Sequence, residues 1–118
     1  MNQKVKDFND YRSKMNDRIL SVDNKVIKRL YNLDTNTYAE GALPVKTKEM
    51  LGLVASMVLR CDDCIKYHVE RCKAEGVSEA ELFEVFSVAN IVGGTIVIPH
   101  TRRAVEYWDA LKEGWKRR

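Results

Sequence analysis

Apolar residues recur every three or four positions along most of this 118-residue chain, which is the spacing of one face of an α-helix. No segment of useful length shows the two-residue alternation of a half-buried strand, and no Asn-Gly or similar hairpin turn occurs. The pattern therefore predicts an all-α fold. At this length we expect a single domain over residues 1–118, built from about five to six helices.

The first third of the chain carries the longest apolar stripe. Its members are Val5, Phe8, Tyr11, Met15, Ile19, Val22, Val26, Leu30 and Leu33. This stripe predicts one long helix over residues 1–33, ended by the polar side chains of residues 34–37, which compete for backbone hydrogen bonds. A helix of that length would outrun so small a globule, and it therefore favours a homo-oligomer.

The remaining helices form a predicted core over residues 43–112. Spacing predicts helices over residues 46–59 and 62–75, the second closed by Gly76. Ser78 and Glu81 have the spacing of a capping box and open a helix through about Val92, whose apolar residues surround its circumference. After Gly93 and Gly94, Thr95 is the expected N-cap of a last helix ending near residue 112. This helix from Ser78 to about Val92, apolar on nearly all sides, is a second reason to expect self-association.

Charge and hydropathy exclude several classes of protein. The net charge is +3, and the bases are mixed with acids except at Lys116, Arg117 and Arg118, which are expected to offset the dipole of the last helix. A coherent basic face for nucleic acid is absent from this pattern. The longest nearly uncharged stretch, residues 82–100, is too interrupted to span a membrane, and the first residues resemble no signal or transit peptide. We expect a soluble, cytoplasmic protein.

Chemistry is concentrated in one short motif. Cys61 and Cys64 form a CxxC at the start of the helix over residues 62–75, where unpaired N–H groups and the helix dipole favour a thiolate. His68 follows Cys64 by one helical turn, so its imidazole could exchange a proton with that sulfur. Without a secretory signal, a structural disulfide framework is not expected. The pattern instead favours a redox pair.

Three further residues have more than one interpretation. Glu49 lies twelve residues before Cys61 and could return against the cysteine helix as a proton acceptor, although the pattern by itself favours a solvated glutamate. Cys72 is expected to be a small buried hydrophobe. His100, beside Pro99, has no recognisable partner spacing and is expected to be structural or on the surface.

A family resemblance is carried by Glu49, the CxxC, His68, the Gly76-Val77-Ser78 turn and Gly93-Gly94. In this pattern eleven residues separate the Glu from the CxxC, and three separate the CxxC from the His. It resembles the alkylhydroperoxidase D-like branch of the carboxymuconolactone decarboxylase family, over about residues 43–111. That resemblance implies an all-helical fold, trimers or hexamers, and reduction of peroxides or disulfides through the CxxC without a cofactor or metal.

The resemblance also implies individual roles. Cys64 would attack the hydroperoxide and become a sulfenic acid, Cys61 would condense with it, and Glu49 and His68 would relay the proton. An external dithiol or thiol protein would then reset the pair. Asp63 departs from the family pattern, in which a second histidine lies between the cysteines, and a carboxylate there is expected to weaken the peroxidase by raising the thiol pKa.

Two other functions stay open at this point. One is a zinc site formed by Cys61, Cys64 and His68, with Glu49 or His100 as the fourth ligand. The other is a non-redox lyase, like the family's decarboxylases, or a partner-binding helical protein whose cysteines are incidental.

Overall fold

The computed structural model describes residues 2–116, and helices make up nearly all of that range. The helices are α1 (Gln3–Leu20), α2 (Lys25–Tyr38), α3 (Val45–Val58), α4 (Asp62–Ala74), α5 (Glu79–Gly93) and α6 (Ile98–Lys116), with a 3-10 turn at Thr95–Val97. Residues 2–116 contain no strand. The predicted all-α fold is confirmed.

The core lies where α3, α4, α5 and α6 meet. Helix α3 packs extensively against both α4 and α5, α4 packs against α6, and α1 lies on α6. The buried apolar residues are Val5, Leu53, Met57, Ile65, Val69, Cys72, Val77, Leu82, Val85, Phe86, Ala89, Val97, Ala104, Tyr107, Trp108 and Ala110. This packing fixes α3 against α4, the two helices that carry the predicted site.

The local signals in the core predicted its helix boundaries well. The Ser78 hydroxyl accepts the Glu81 backbone N–H at 3.1 Å, while the Glu81 carboxylate accepts the Ser78 N–H at 2.8 Å. This reciprocal pair is the predicted capping box. Gly76 follows α4 with a φ of 84°, a left-handed conformation that glycine adopts without strain.

The predicted single helix over residues 1–33 is wrong, because the chain turns between α1 and α2. Helix α1 ends at Leu20, and the Ser21 hydroxyl donates to the Arg18 carbonyl at 2.6 Å. Helix α2 begins at Lys25, with the Asn24 side chain capping the Ile27 N–H at 3.0 Å. The apolar stripe continues through this turn, which is why periodicity alone did not reveal it.

The predicted end of that helix at residues 34–37 is also wrong. The Thr35 and Thr37 hydroxyls donate to carbonyls four residues earlier, at 3.1 and 2.7 Å, so these side chains bond within the helix. Helix α2 therefore continues to Tyr38. A smaller correction concerns Thr95, which lies in the 3-10 turn and is not the N-cap of α6.

Much apolar surface remains exposed outside the core. On α2, Val26, Leu30 and Leu33 are 73%, 62% and 62% exposed, and on α5 Ile91 and Val92 are 84% and 65% exposed. Both are surfaces that the sequence predicted to be shared between subunits. Self-association stays a prediction.

None of the helices in residues 2–116 combines the length and apolar character needed to cross a bilayer. Arg117 and Arg118 lie outside the described residues, so the expectation for the basic end of the chain stays a prediction.

Candidate active site

The cysteine pair lies at the corner between α3 and α4. Arg60 turns the chain there with a left-handed φ of 59°, a conformation that costs a residue with a side chain roughly 1 kcal/mol. Cys61 is the N-cap of α4, and its Sγ accepts the Cys64 backbone N–H at 3.3 Å. A disulfide joins Cys61 and Cys64 across a Cα–Cα distance of 5.3 Å, while α4 is helical from Asp62 onward. The pair therefore bonds without unwinding the helix.

The two sulfur-bearing residues differ in accessibility. Cys64 is exposed, whereas Cys61 is partly covered. Asp62 and Asp63 occupy the first turn of α4, as predicted, and Asp63 is exposed. A reagent in solution thus has its more open route to Cys64.

Glu49 and His68 form a buried pair between α3 and α4. The His68 Nδ1 lies 2.8 Å from the Glu49 Oε1, and the two residues are 7% and 1% exposed. The other carboxylate oxygen faces the Arg71 Nε at 3.7 Å. The solvated glutamate that the pattern favoured is wrong, because the short Arg60 turn returns α4 directly along α3.

The far side of the His68 ring faces Tyr38, the last residue of α2. The Tyr38 hydroxyl lies 3.5 Å from Nε2, a long contact. With the Nδ1 proton donated to Glu49, the neutral ring leaves Nε2 as an acceptor toward this hydroxyl. Both nitrogens of His68 are thus directed at protein groups, in the order Glu49, His68, Tyr38.

Two residues of α3 allow the contact between His68 and Tyr38, one by leaving space and one by holding α2. A Cβ at Gly52 would lie 2.6 Å from the Tyr38 hydroxyl oxygen and 2.7 Å from the His68 Cε1, so any side chain there displaces the ring or the phenol. The Lys48 ammonium donates to the Thr37 and Ala39 carbonyls at 2.9 and 2.7 Å, which holds the end of α2. Tyr38 was not predicted as a site residue, because it lies between the predicted helices and 30 positions from His68.

His100 has a partner that the sequence did not reveal. Its Nδ1 lies 2.8 Å from the Oδ1 of Asp62, between the two cysteines, and the Arg103 Nε donates to Oδ2 at 3.1 Å. Burial raises the pKa of the Asp62 carboxyl, but the hydrogen bonds from His100 and Arg103 outweigh it, and the resulting pKa lies below the ordinary value. His100 therefore contacts a residue within the CxxC.

Cys72 is separate from this chemistry. It is a free cysteine, wholly buried on α4 in the core, as predicted. Burial, with a smaller contribution from the charge of Glu49, raises the pKa of its thiol to about 12. At neutral pH it is an apolar packing group.

The zinc alternative finds no support in the geometry. Among the described residues, no group of three or more His, Cys, Asp and Glu side chains is arranged to hold a metal ion. Its two candidate fourth ligands are engaged elsewhere, Glu49 with His68 and His100 with Asp62.

Comparison with solved structures identifies close relatives. Two crystal structures of a Thermotoga maritima protein match with TM-scores of 0.93 and 0.90 at 51% and 50% identity. They cover 96% and 94% of this chain, and 99% and 94% of their own. That protein is described as a carboxymuconolactone decarboxylase family member, and an involvement in the antioxidative response has been suggested for it.

More distant proteins share the fold or part of the sequence. A carboxymuconolactone decarboxylase family protein of Legionella pneumophila shares the fold, with a TM-score of 0.73 at 22% identity over 89% of this chain and 90% of its own. A Cupriavidus necator protein is 28% identical over 72 residues, which are 61% of this chain and 64% of that protein. A Paracoccus denitrificans protein from the cox locus is 27% identical over 74 residues, 63% and 67% of the two chains.

The sequence model of one family covers most of the chain. The match spans residues 25–107, from α2 into α6, and includes Cys61, Cys64, Glu49 and His68. This range contains every residue placed at the candidate site above. The chain therefore belongs to the carboxymuconolactone decarboxylase family.

Proposed function

We propose that this protein is a thiol-dependent peroxidase that reduces hydroperoxides through the Cys61–Cys64 pair. The observation that carries the proposal is a disulfide at the head of α4, one helical turn from a buried Glu49–His68 pair. The antioxidative role suggested for the Thermotoga maritima relative supports the same chemistry.

In the proposed cycle, the Cys64 thiolate attacks the outer oxygen of a hydroperoxide. The O–O bond breaks, an S–O bond forms, and the sulfur is oxidised to a sulfenic acid while the alkoxide takes a proton and leaves as an alcohol. The Cys61 thiolate then attacks the Cys64 sulfur, and the hydroxide it displaces is protonated to water. An external dithiol reduces the resulting disulfide and is itself oxidised. The sum is one hydroperoxide and one dithiol converted to an alcohol, water and a disulfide.

The assignment of Cys64 as nucleophile rests on access and on helix geometry. Cys64 is the more exposed cysteine, and His68 follows it by one turn on the same side of α4. Cys61 is better suited to the second step, because it is partly covered and already adjacent to Cys64.

Glu49 and His68 are the proposed proton relay. A buried imidazole whose Nδ1 is held by a carboxylate can give and recover a proton at Nε2 with little reorganisation. In the disulfide form this nitrogen faces Tyr38. The proton is needed when the alkoxide leaves and again when the hydroxide leaves.

The partners follow from this cycle. The apolar helices around the site favour an organic hydroperoxide as substrate, and the reductant is an external dithiol or thiol protein. A reducing compartment such as the cytoplasm would supply it.

We further infer a homo-oligomer, a trimer or hexamer as the family resemblance implies, that covers exposed apolar residues of α2 and α5. Mass measurement by light scattering tests this, and a monomer at micromolar concentration would contradict it.

The test of the catalytic assignment is a thiol count on the reduced protein. One equivalent of an organic hydroperoxide should remove two thiols per chain from the wild type. Cys64→Ser should abolish peroxide consumption, while Cys61→Ser should leave a sulfenic acid at Cys64 that a dimedone-type probe traps. Cys72→Ser is the matched control, because its thiol is buried and un-ionised, and it should consume peroxide like the wild type. Turnover retained by Cys64→Ser would refute the assignment, and an inert wild type would refute the peroxidase.

A further inference from the structure

One of the two residues between Cys61 and Cys64 is bonded to a distant helix. Asp62 is the first residue of α4, and each of its carboxylate oxygens has its own partner on α6, His100 at 2.8 Å and Arg103 at 3.1 Å. The Arg103 guanidinium also lies 3.2 Å from the His100 Nδ1. We call Asp62, His100 and Arg103 the α4–α6 clamp.

The α6 side of the clamp is anchored in the core. Ala104, next to Arg103, is buried, as is Tyr107 one turn later. The Asn90 amide of α5 donates to the Thr101 hydroxyl, next to His100, at 2.9 Å. The partners of Asp62 therefore stand on a helix that is packed from two sides.

The α4 side is the part of the motif that is least constrained by its own helix. The first turn of any helix lacks intrahelical partners for its N–H groups and frays most readily. In α4 that turn holds both sulfurs, with Cys61 as N-cap and Cys64 two residues after Asp62. When the disulfide is reduced, this covalent restraint on the turn is lost. The clamp then remains as the tertiary contact that Asp62 makes from within the motif.

The clamp also changes the charge beside the sulfurs. An isolated aspartate would disfavour a nearby thiolate. The Arg103 guanidinium offsets the Asp62 charge through an ion pair, and the His100 Nδ1 donates a second hydrogen bond to the same carboxylate. The Asp62 carboxylate therefore does not present an uncompensated negative charge to the cysteines.

We propose that His100 and Arg103 are positioning residues for the redox pair, which act through Asp62 to hold Cys61 within reach of Cys64 after reduction. This inference rests on the proposed redox function of the CxxC and adds two residues outside the motif to it. The clamp lowers the conformational entropy lost when the disulfide closes, so it favours the disulfide over the dithiol and speeds the attack of Cys61 on the Cys64 sulfenic acid. That attack forms the S–S bond and releases hydroxide, which is protonated to water. When closure is slow, a second hydroperoxide oxidises the sulfenic acid to a sulfinic acid and is itself reduced to an alcohol.

The first measurement needs no peroxide. The equilibrium constant between the protein disulfide and dithiothreitol is determined for the wild type, His100→Ala and Arg103→Ala. We expect disulfide formation to become about threefold to tenfold less favourable in both variants, as for the loss of a partly exposed, charge-assisted hydrogen bond. Arg102→Ala is the matched control, since it removes the same charge from the adjacent position on α6 and leaves the Asp62 bonds in place.

Conservative variants separate positioning from a general loss of structure. Asn at position 100 has a side-chain amide that can replace the Nδ1 donor, so His100→Asn should recover most of the wild-type equilibrium constant. If an alanine variant fails to fold, Arg103→Met takes its place, because it keeps most of the length of the side chain but removes the N–H donor to Asp62. Constants within about twofold of the wild type in every variant with a broken clamp would overturn the proposal.

The second measurement follows the sulfenic acid. After one equivalent of an organic hydroperoxide, His100→Ala and Arg103→Ala should give more dimedone adduct at Cys64, per hydroperoxide consumed, than the wild type or Arg102→Ala. Equal adduct in all four proteins would contradict the role in closure. If none of them reacts with peroxide, the peroxidase proposal fails, and the dithiothreitol constants still decide whether the clamp positions the cysteines.

Discussion

Two histidine–carboxylate pairs flank the same cysteine motif, and they have the same bond length in very different surroundings. His68 and Glu49 are joined at 2.8 Å with side chains 9% and 2% exposed, whereas His100 and Asp62 are joined at 2.8 Å with side chains 15% and 38% exposed. Burial strengthens each electrostatic contact and raises the cost of leaving one partner alone, while water screens the outer pair. The inner pair is thus suited to holding a proton, and the outer pair to holding a turn in place.

Among the variants that test this comparison, Glu49→Ala has the largest expected effect. It leaves the His68 Nδ1 buried without its acceptor, so we expect the free energy of unfolding to fall by about 3 kcal/mol. Denaturant titration measures this loss. Glu75→Ala is the control, because it removes a surface partner of Arg71 with an expected loss below about 0.5 kcal/mol. Equal losses in the two variants would mean that burial does not distinguish the inner pair.

Gly52→Ala disturbs the inner pair without changing its chemistry. The added methyl group overlaps the Tyr38 hydroxyl and the His68 ring, so we expect a loss of about 2 kcal/mol in the same titration. Leu51→Ala, at a neighbouring exposed position of α3, should change stability by no more than about 0.5 kcal/mol. A neutral Gly52→Ala would show that the ring and phenol have room to move.

Tyr38→Phe removes only the hydroxyl that faces His68. The contact is long, and we expect the free energy of unfolding to fall by about 0.5 to 1 kcal/mol. Tyr67→Phe is the matched control, since the Tyr67 ring packs edge-on against the same imidazole, with ring centroids 5.2 Å apart. A larger loss for Tyr67→Phe would refute the order Glu49, His68, Tyr38.

Asp62→Asn tests the outer pair and has the smallest expected effect, at most about 1 kcal/mol at pH 7. The folded-state pKa of Asp62 is depressed, so its contribution is present above the ordinary pKa and is lost as the pH falls through the folded value. The gap between wild type and variant should therefore close as the pH is lowered below about 4. Asp63→Asn, on the exposed neighbour, should show a smaller gap, and a gap that widens in acid would reverse the interpretation.

Local signals in the sequence predicted the core helices because their causes are local. Ser78 and Glu81 satisfy each other's N–H groups, and Gly76 adopts a conformation that suits glycine. The break between α1 and α2 was missed because the apolar stripe crosses it, although Asn24 is a good N-cap residue.

The site was predictable only as far as its contacts are close in sequence. The CxxC and His68 share one helix, so their spacing was informative. His100 bonds a residue 38 positions away, and Tyr38 reaches a residue 30 positions away, through packing that no short pattern encodes. Glu49 is an intermediate case in sequence distance, 19 positions from His68. The single tight turn at Arg60 brings α4 back along α3 and so brings the two residues together.

The buried thiol of Cys72 has a practical consequence for every experiment on the reduced protein. With a pKa of about 12 and no exposed surface, it stays unreactive toward alkylating reagents while the core is closed. The first two alkyl groups on each chain therefore label Cys61 and Cys64. A third addition, followed in the same mass spectra, requires Cys72 to become exposed. Its rate therefore measures how fast the helical core opens.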